Sequence, residues 1–111
     1  MSYHHKELAA GRWFTLSLAE QMGNVGSEVS RALNWQRRGD TGYCLRAFER
    51  ALELLDLTLA DSRSRGRRKE IARVREALAD YFCGDNNFGS SPDLWRSYFD
   101  AFAIAARARH T

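Results

Sequence analysis

The chain has 111 residues, of which 44% are hydrophobic and 28% charged, with a formal net charge of +3 at pH 7. That is enough apolar material for one compact core and too little length for two domains, so wholesale disorder is excluded. No apolar run approaches the ~18 residues that a membrane span requires. Residues 1–7 are polar and lack a secretory core, so no membrane association is expected and a cytoplasmic location is.

Valine occurs three times and isoleucine twice, against many alanines, leucines and arginines, and the single proline is Pro92. This balance favours helix over strand. The first helix is expected over about residues 6–38, with Phe14, Leu18, Met22, Val25, Val29 and Leu33 on one face at steps of three and four. Basic residues in its last turn followed by Gly39 mark its end. The open question is whether it continues through Gly23 and Gly26. Asp40 or Thr41 can cap a second helix over about residues 41–61, whose apolar face is Cys44, Phe48, Ala51, Leu52, Leu55 and Leu59. Residues 62–69 read as a linker. A third helix over about residues 67–83 turns Ile71, Val74 and Leu78 inward. Residues 84–91 are dense in turn formers, and Phe88 is expected to tuck under the bundle. Ser90 or Ser91, Pro92 and Asp93 start a fourth helix over about residues 92–109, with Trp95, Tyr98, Phe99, Phe102 and Ala106 inward.

Four amphipathic helices with short connections predict an all-α, antiparallel up-down four-helix bundle that occupies residues 1–111 as one domain. Cys44 and Cys83 form no disulfide framework and read as buried, reduced thiols. The only histidines, His4, His5 and His110, sit near the ends, so no metal site and no cofactor are expected.

Two groups of residues are candidates for function. Ala19, Gly23, Gly26 and Ser30 form a strip of small side chains on helix one. Two glycines inside a helix cost about 1 kcal/mol each relative to alanine, which asks for an offset such as the close approach of another backbone. Packing within the chain and a self-association seam are both open. A neighbouring polar strip includes Glu28 and Arg31 within pairing reach.

The second group is Arg63, Arg65, Arg67, Arg68, Lys69, Arg73 and Arg75. Residues 1–61 hold seven basic and eight acidic side chains, and residues 62–111 hold ten and six, so the excess charge collects here. Cations at a helix start oppose its macrodipole. Arginines beside free backbone N–H groups suit a phosphate, so contact with nucleic-acid backbone is the functional reading, with contact to an acidic protein or lipid and simple solvation the alternatives. No aromatic residue interleaves with the run, so base stacking is not indicated there.

Enzyme readings lack support. No phosphate-binding loop, dinucleotide-binding glycine motif or nucleophile elbow is present. The arginine–spacer–histidine signature of small helical ribonucleases is missing after Arg96. A ribonuclease that uses Asp100 or His110 has no spacing behind it.

In size and layout, four amphipathic helices with basic charge, the chain resembles short bacterial and phage four-helix-bundle proteins. These include the accessory variability proteins of diversity-generating retroelements and the bundles encoded in ribosomal-RNA intervening sequences. The resemblance implies a non-catalytic homo-oligomer that binds nucleic acid, RNA rather than DNA, and assists an enzyme such as a reverse transcriptase. It assigns no site residue. The alternative is a protein–protein adaptor or antitoxin-like subunit that binds no nucleic acid.

Overall fold

The computed structural model describes residues 11–108. The helices form where the apolar periodicity places them, and local capping residues set their ends. The first helix, α1 (Leu18–Arg37), is opened by Ser17: its hydroxyl accepts the Glu20 N–H while the Glu20 carboxylate accepts the Ser17 N–H, a reciprocal cap. α2 (Thr41–Ala60) starts at Asp40, whose Oδ1 accepts the Tyr43 N–H at 3.0 Å. α3 (Arg68–Cys83) follows a six-residue 3-10 helix, Ser62–Arg67. α4 (Pro92–Ala108) carries proline at its first position, and the Ser91 hydroxyl accepts the Leu94 N–H.

Consecutive helices run antiparallel, as cross-helix contacts show. Gln21 meets Asp61 and Trp35 meets Tyr43 between α1 and α2. Phe48 meets Phe82 and Asp56 meets Arg75 between α2 and α3. Glu70 meets Tyr98 and Tyr81 meets Trp95 between α3 and α4. The result is the expected all-α bundle, in which α1 packs against both α2 and α4 while α3 rests on α2. Met22, Val25, Ala51, Leu55, Ile71 and Leu78 are buried at its centre, and Trp95, Phe99 and Phe102 close it from α4.

The beginning of helix one departs from the expectation. Residues 6–10 lie outside the described residues, and residues 12–37 are not one helix. Arg12–Thr15 forms a separate 3-10 turn, Leu16 is extended, and α1 begins only after Ser17. The turn reverses the expected facing. Phe14 is 37% exposed, whereas Trp13 is buried and donates its indole N–H to the Thr58 hydroxyl at 3.1 Å. The reciprocal cap explains the break, because it satisfies helix N–H donors that a continuing helix would have bonded to carbonyls one turn earlier. The residues 62–69 expected as a linker are largely helical, with Ser64 buried and its hydroxyl bonded to the Thr58 and Asp61 carbonyls.

Phe88 also departs from the expectation, being 53% exposed. The α3–α4 loop is held by polar bonds instead of an apolar plug. The Asp80 carboxylate accepts the Asn87 and Phe88 N–H groups, and Asn86, at φ 55°, exchanges two hydrogen bonds with Ser90. With its backbone tied by Asp80 and Asn86, the loop does not need a buried ring.

α1 is continuous through both glycines. A Cβ on Gly26 would lie 2.6 Å from the Phe99 Cβ and 3.0 Å from its Cγ, so only glycine fits there without movement of α4. A Cβ on Gly23 would meet Ala103 at 3.8 Å, an ordinary contact. The two glycines should therefore respond oppositely to alanine. Gly26→Ala is expected to destabilise by about 1–3 kcal/mol through overpacking. Gly23→Ala should be neutral or stabilise by up to about 1 kcal/mol through helix propensity. Urea unfolding of the two variants checks this, and equal losses would show that the two glycines share one role.

Candidate nucleic-acid interface

The arginine run starts at the corner where α2 ends. Asp61 is buried, and its carboxylate accepts from the Gln21 amide at 3.0 Å and from the Arg63 backbone N–H at 2.9 Å. The Arg63 guanidinium grips the same carboxylate at 2.6 Å and also donates to the carbonyls of Phe14 and Leu16, at 3.0 and 2.7 Å. Arg63 is thus a bracket that ties the segment before α1 to the α2–α3 corner. The hydrogen bond from Arg63, opposed by burial, holds the Asp61 carboxyl far below the usual carboxylate range.

The remaining members of the run divide. Arg67 pairs with Glu70 at 2.8 Å and lies over the Phe102 ring. Glu70 also accepts the Tyr98 hydroxyl at 2.6 Å. Burial and the neighbouring Glu70 carboxylate push the Tyr98 phenol well up. Arg75 pairs with Asp56 across α2 and α3 at 2.8 Å. Arg68 donates to the Leu59 carbonyl, one of the last acceptors of α2. Arg65, Lys69 and Arg73 are exposed and make no ion pair or side-chain hydrogen bond among the described residues. Lys69 and Arg73, four residues apart on α3, border a shallow groove with Glu70 and Glu76, whereas Arg65 lies on the preceding 3-10 helix. The expected seven-residue cationic site is therefore not a single surface. Three of its arginines are neutralised by carboxylates of the same chain, one is bonded to a carbonyl, and three cations remain open.

The small-residue strip does not form one free surface either. Gly26 is buried against Phe99, and Gly23 faces Ala103. Ser30 lines a groove of about 270 Å³ between α1 and α4, together with Gly23, Trp95, Arg96 and Asp100. Ala19 belongs to a different apolar groove of about 400 Å³, with Tyr98, Ala101, Phe102 and Ala105. In the polar strip the Glu28–Arg31 pair forms at 2.9 Å, while Asn24 and Ser27 bond back to carbonyls of their own helix.

Asp100 is exposed, and His110, like His4 and His5, lies outside the described residues. Among the described residues no cluster of three or more His, Cys, Asp or Glu side chains could hold a metal ion. Cys44 is buried as expected, whereas Cys83, expected to be buried, is exposed because it is the last residue of α3, where the helix runs out of the core; both are free thiols.

Sequence reasoning overlooked a cationic cluster at the α1–α2 corner. Trp35 and Tyr43 stack with ring centroids 4.8 Å apart and planes 26° apart. Arg38 lies 5.3 Å from the Trp35 centroid, and Arg46 lies 4.5 Å from that of Tyr43. The signal available was a repeated aromatic–x–x–arginine spacing, Trp35 to Arg38 and Tyr43 to Arg46, on the two sides of Gly39-Asp40.

The corner at Asp61 sets a pH dependence. Its carboxyl is depressed in the folded state, so its contribution to stability is complete above the unfolded value of about 3.9 and is lost as the pH falls toward the folded value. Asp61→Asn should lower stability at neutral pH by about 1.5–3 kcal/mol. It should also flatten the decline of stability below about pH 4 relative to the unmodified chain. Thermal unfolding at several pH values measures both effects, and parallel acid limbs would remove Asp61 from this role.

Comparison with known proteins leaves the geometry to stand alone: no family model matches the chain, and no curated protein or solved structure matches it. The level of description that holds is a four-helix all-α protein without a helix long and apolar enough to cross a membrane among its described residues.

Proposed function

We propose that the chain is a non-catalytic helical bundle that contacts nucleic-acid backbone through Arg65, Lys69 and Arg73, as an accessory to a partner enzyme. The carrying observation is that these three cations are exposed around the start of α3 and have no carboxylate partner among the described residues, whereas Arg63, Arg67 and Arg75 do. Charges left open in this way suit a polyanion, and contacts of this kind read backbone without reading sequence. The preference for RNA, and a partner such as a reverse transcriptase, come from the layout shared with the accessory variability proteins. Self-association belongs to this reading on a face other than Gly23 and Gly26, which α4 covers within the chain.

A second reading, a protein–protein adaptor, has one observation in its favour. Leu94 and Ile104 on the outer side of α4 are 60% and 59% exposed, with Ala101 and Ala105 exposed between and beside them. The readings separate by variant. Leu94→Glu/Ile104→Glu should abolish assembly in light scattering if the adaptor reading holds and leave nucleic-acid affinity intact under the leading one.

Three phosphates engaged on single-stranded RNA give a log–log salt slope of roughly −2. Charge reversal at Arg65, Lys69 and Arg73 together should reduce the magnitude of the slope by about 2 and weaken binding by at least about tenfold at low salt. Fluorescence anisotropy across a salt series reads both, and an unchanged slope would remove these residues from the interface.

A further inference from the structure

The α1–α2 corner lies at the other end of α2 from the arginine run, about 30 Å away for a 20-residue helix. Gly39, at φ 78°, lets the chain reverse, and the Asp40 cap fixes the first turn of α2. These two features bring Trp35 and Arg38 from the end of α1 beside Tyr43 and Arg46. The four side chains form a ladder in the order guanidinium, indole, phenol, guanidinium, with the two rings between the two cations. Arg37, Arg38 and Arg46 are exposed, Tyr43 is half exposed, and Trp35 is partly buried.

None of these three arginines pairs with a carboxylate among the described residues. Asp40, the carboxylate within the corner, accepts the Tyr43 backbone N–H instead. Stacking on a ring restrains a guanidinium without neutralising it or occupying its N–H edge. The two rings cover one another and are capped by Arg38 and Arg46, so the ladder offers fixed charge together with a flat guanidinium plane at each end. An acidic peptide would use the charge alone. A duplex would likewise use the charge alone, because its base faces are already stacked. A single strand offers phosphates and free base faces together.

We propose that the Arg38–Trp35–Tyr43–Arg46 ladder, with Arg37 at its edge, is a binding site for single-stranded nucleic acid. Bases stack on the outer guanidinium planes of Arg38 and Arg46, and phosphates accept from the arginine N–H edges. The proposal takes its ligand class from the nucleic-acid reading above but rests on different residues, so the two can fail separately.

The test uses the full chain with a ten-nucleotide oligouridylate and an RNA duplex of the same length. Trp13 and Trp95 are buried, so tryptophan quenching by the oligouridylate reports on Trp35. The expected results are quenching by the single strand and a loss of about tenfold in its affinity for Tyr43→Ala/Arg46→Gln, with duplex affinity kept within about twofold. Tyr43→Phe should bind as the unmodified chain does. If the double variant loses helicity, Arg38→Lys/Arg46→Lys, which keeps the charge and removes the guanidinium planes, is read in the same way. Equal losses on single strand and duplex, or no loss on either, overturn the ladder. Competition by polyglutamate as effective as by oligouridylate also overturns it, in favour of an acidic protein ligand. If reversal of Arg65, Lys69 and Arg73 leaves binding intact while the ladder variant abolishes it, the stripe fails and the ladder stands. The converse pattern removes the ladder and keeps the stripe. No binding of either RNA overturns both.

Discussion

The architecture depends on a buried carboxylate at the foot of the bundle. Asp61 ends α2, caps the following 3-10 helix, takes the Gln21 amide from α1 and anchors the Arg63 guanidinium. Through Arg63 the same group reaches the carbonyls of Phe14 and Leu16, which sets where the 3-10 turn lies and so where Trp13 is buried. A buried charge of this kind is tolerated only when it is paired and its lone pairs are satisfied, and Asp61 meets both conditions.

This corner changes the meaning of the arginine run. A linear sequence displays seven cations beside one another, but the fold assigns them to different tasks. Arg63 braces a corner, Arg67 joins Glu70 and the Phe102 ring, Arg75 crosses to Asp56, and Arg68 closes the end of α2. Glu70 in the first turn of α3 further offsets the unfavourable placement of positive charge at a helix start. The charge that remains open at this end is carried by Arg65, Lys69 and Arg73. At the other end it is carried by Arg37, Arg38 and Arg46, two of which are supported by rings instead of carboxylates. An ion pair cancels a charge, whereas a cation–π contact orients it, and only the second leaves charge for a partner.

α1 serves as the spine because both of its long faces are occupied. Met22, Val25 and Val29 are buried, and Gly26 admits α4 so closely that Phe99 occupies the place of a side chain. The free energy lost to two glycines in a helix is offset within the chain, by a packing distance that alanine at position 26 would not allow. Large apolar side chains that remain exposed on α4 are Leu94 and Ile104.

The helices and their pairing were legible in the sequence. The steps of three and four that bury Met22, Leu55 and Leu78, the Asp40 cap and the Pro92 start are local or periodic signals that act whatever packs against them. The Ser17–Glu20 cap was equally local, but apolar periodicity running on to Phe14 hid it. What only the tertiary structure decided was which charged and small residues remain available. Asp61 meets Gln21, Asp56 meets Arg75, Trp35 meets Tyr43 and Gly26 meets Phe99 across turns or between helices, at spacings no linear motif records. Hydrogen bonds, close ion pairs and ring contacts form only when side chains approach within a few ångströms, so the partner of each side chain is set by how the helices are juxtaposed and not by position along the chain.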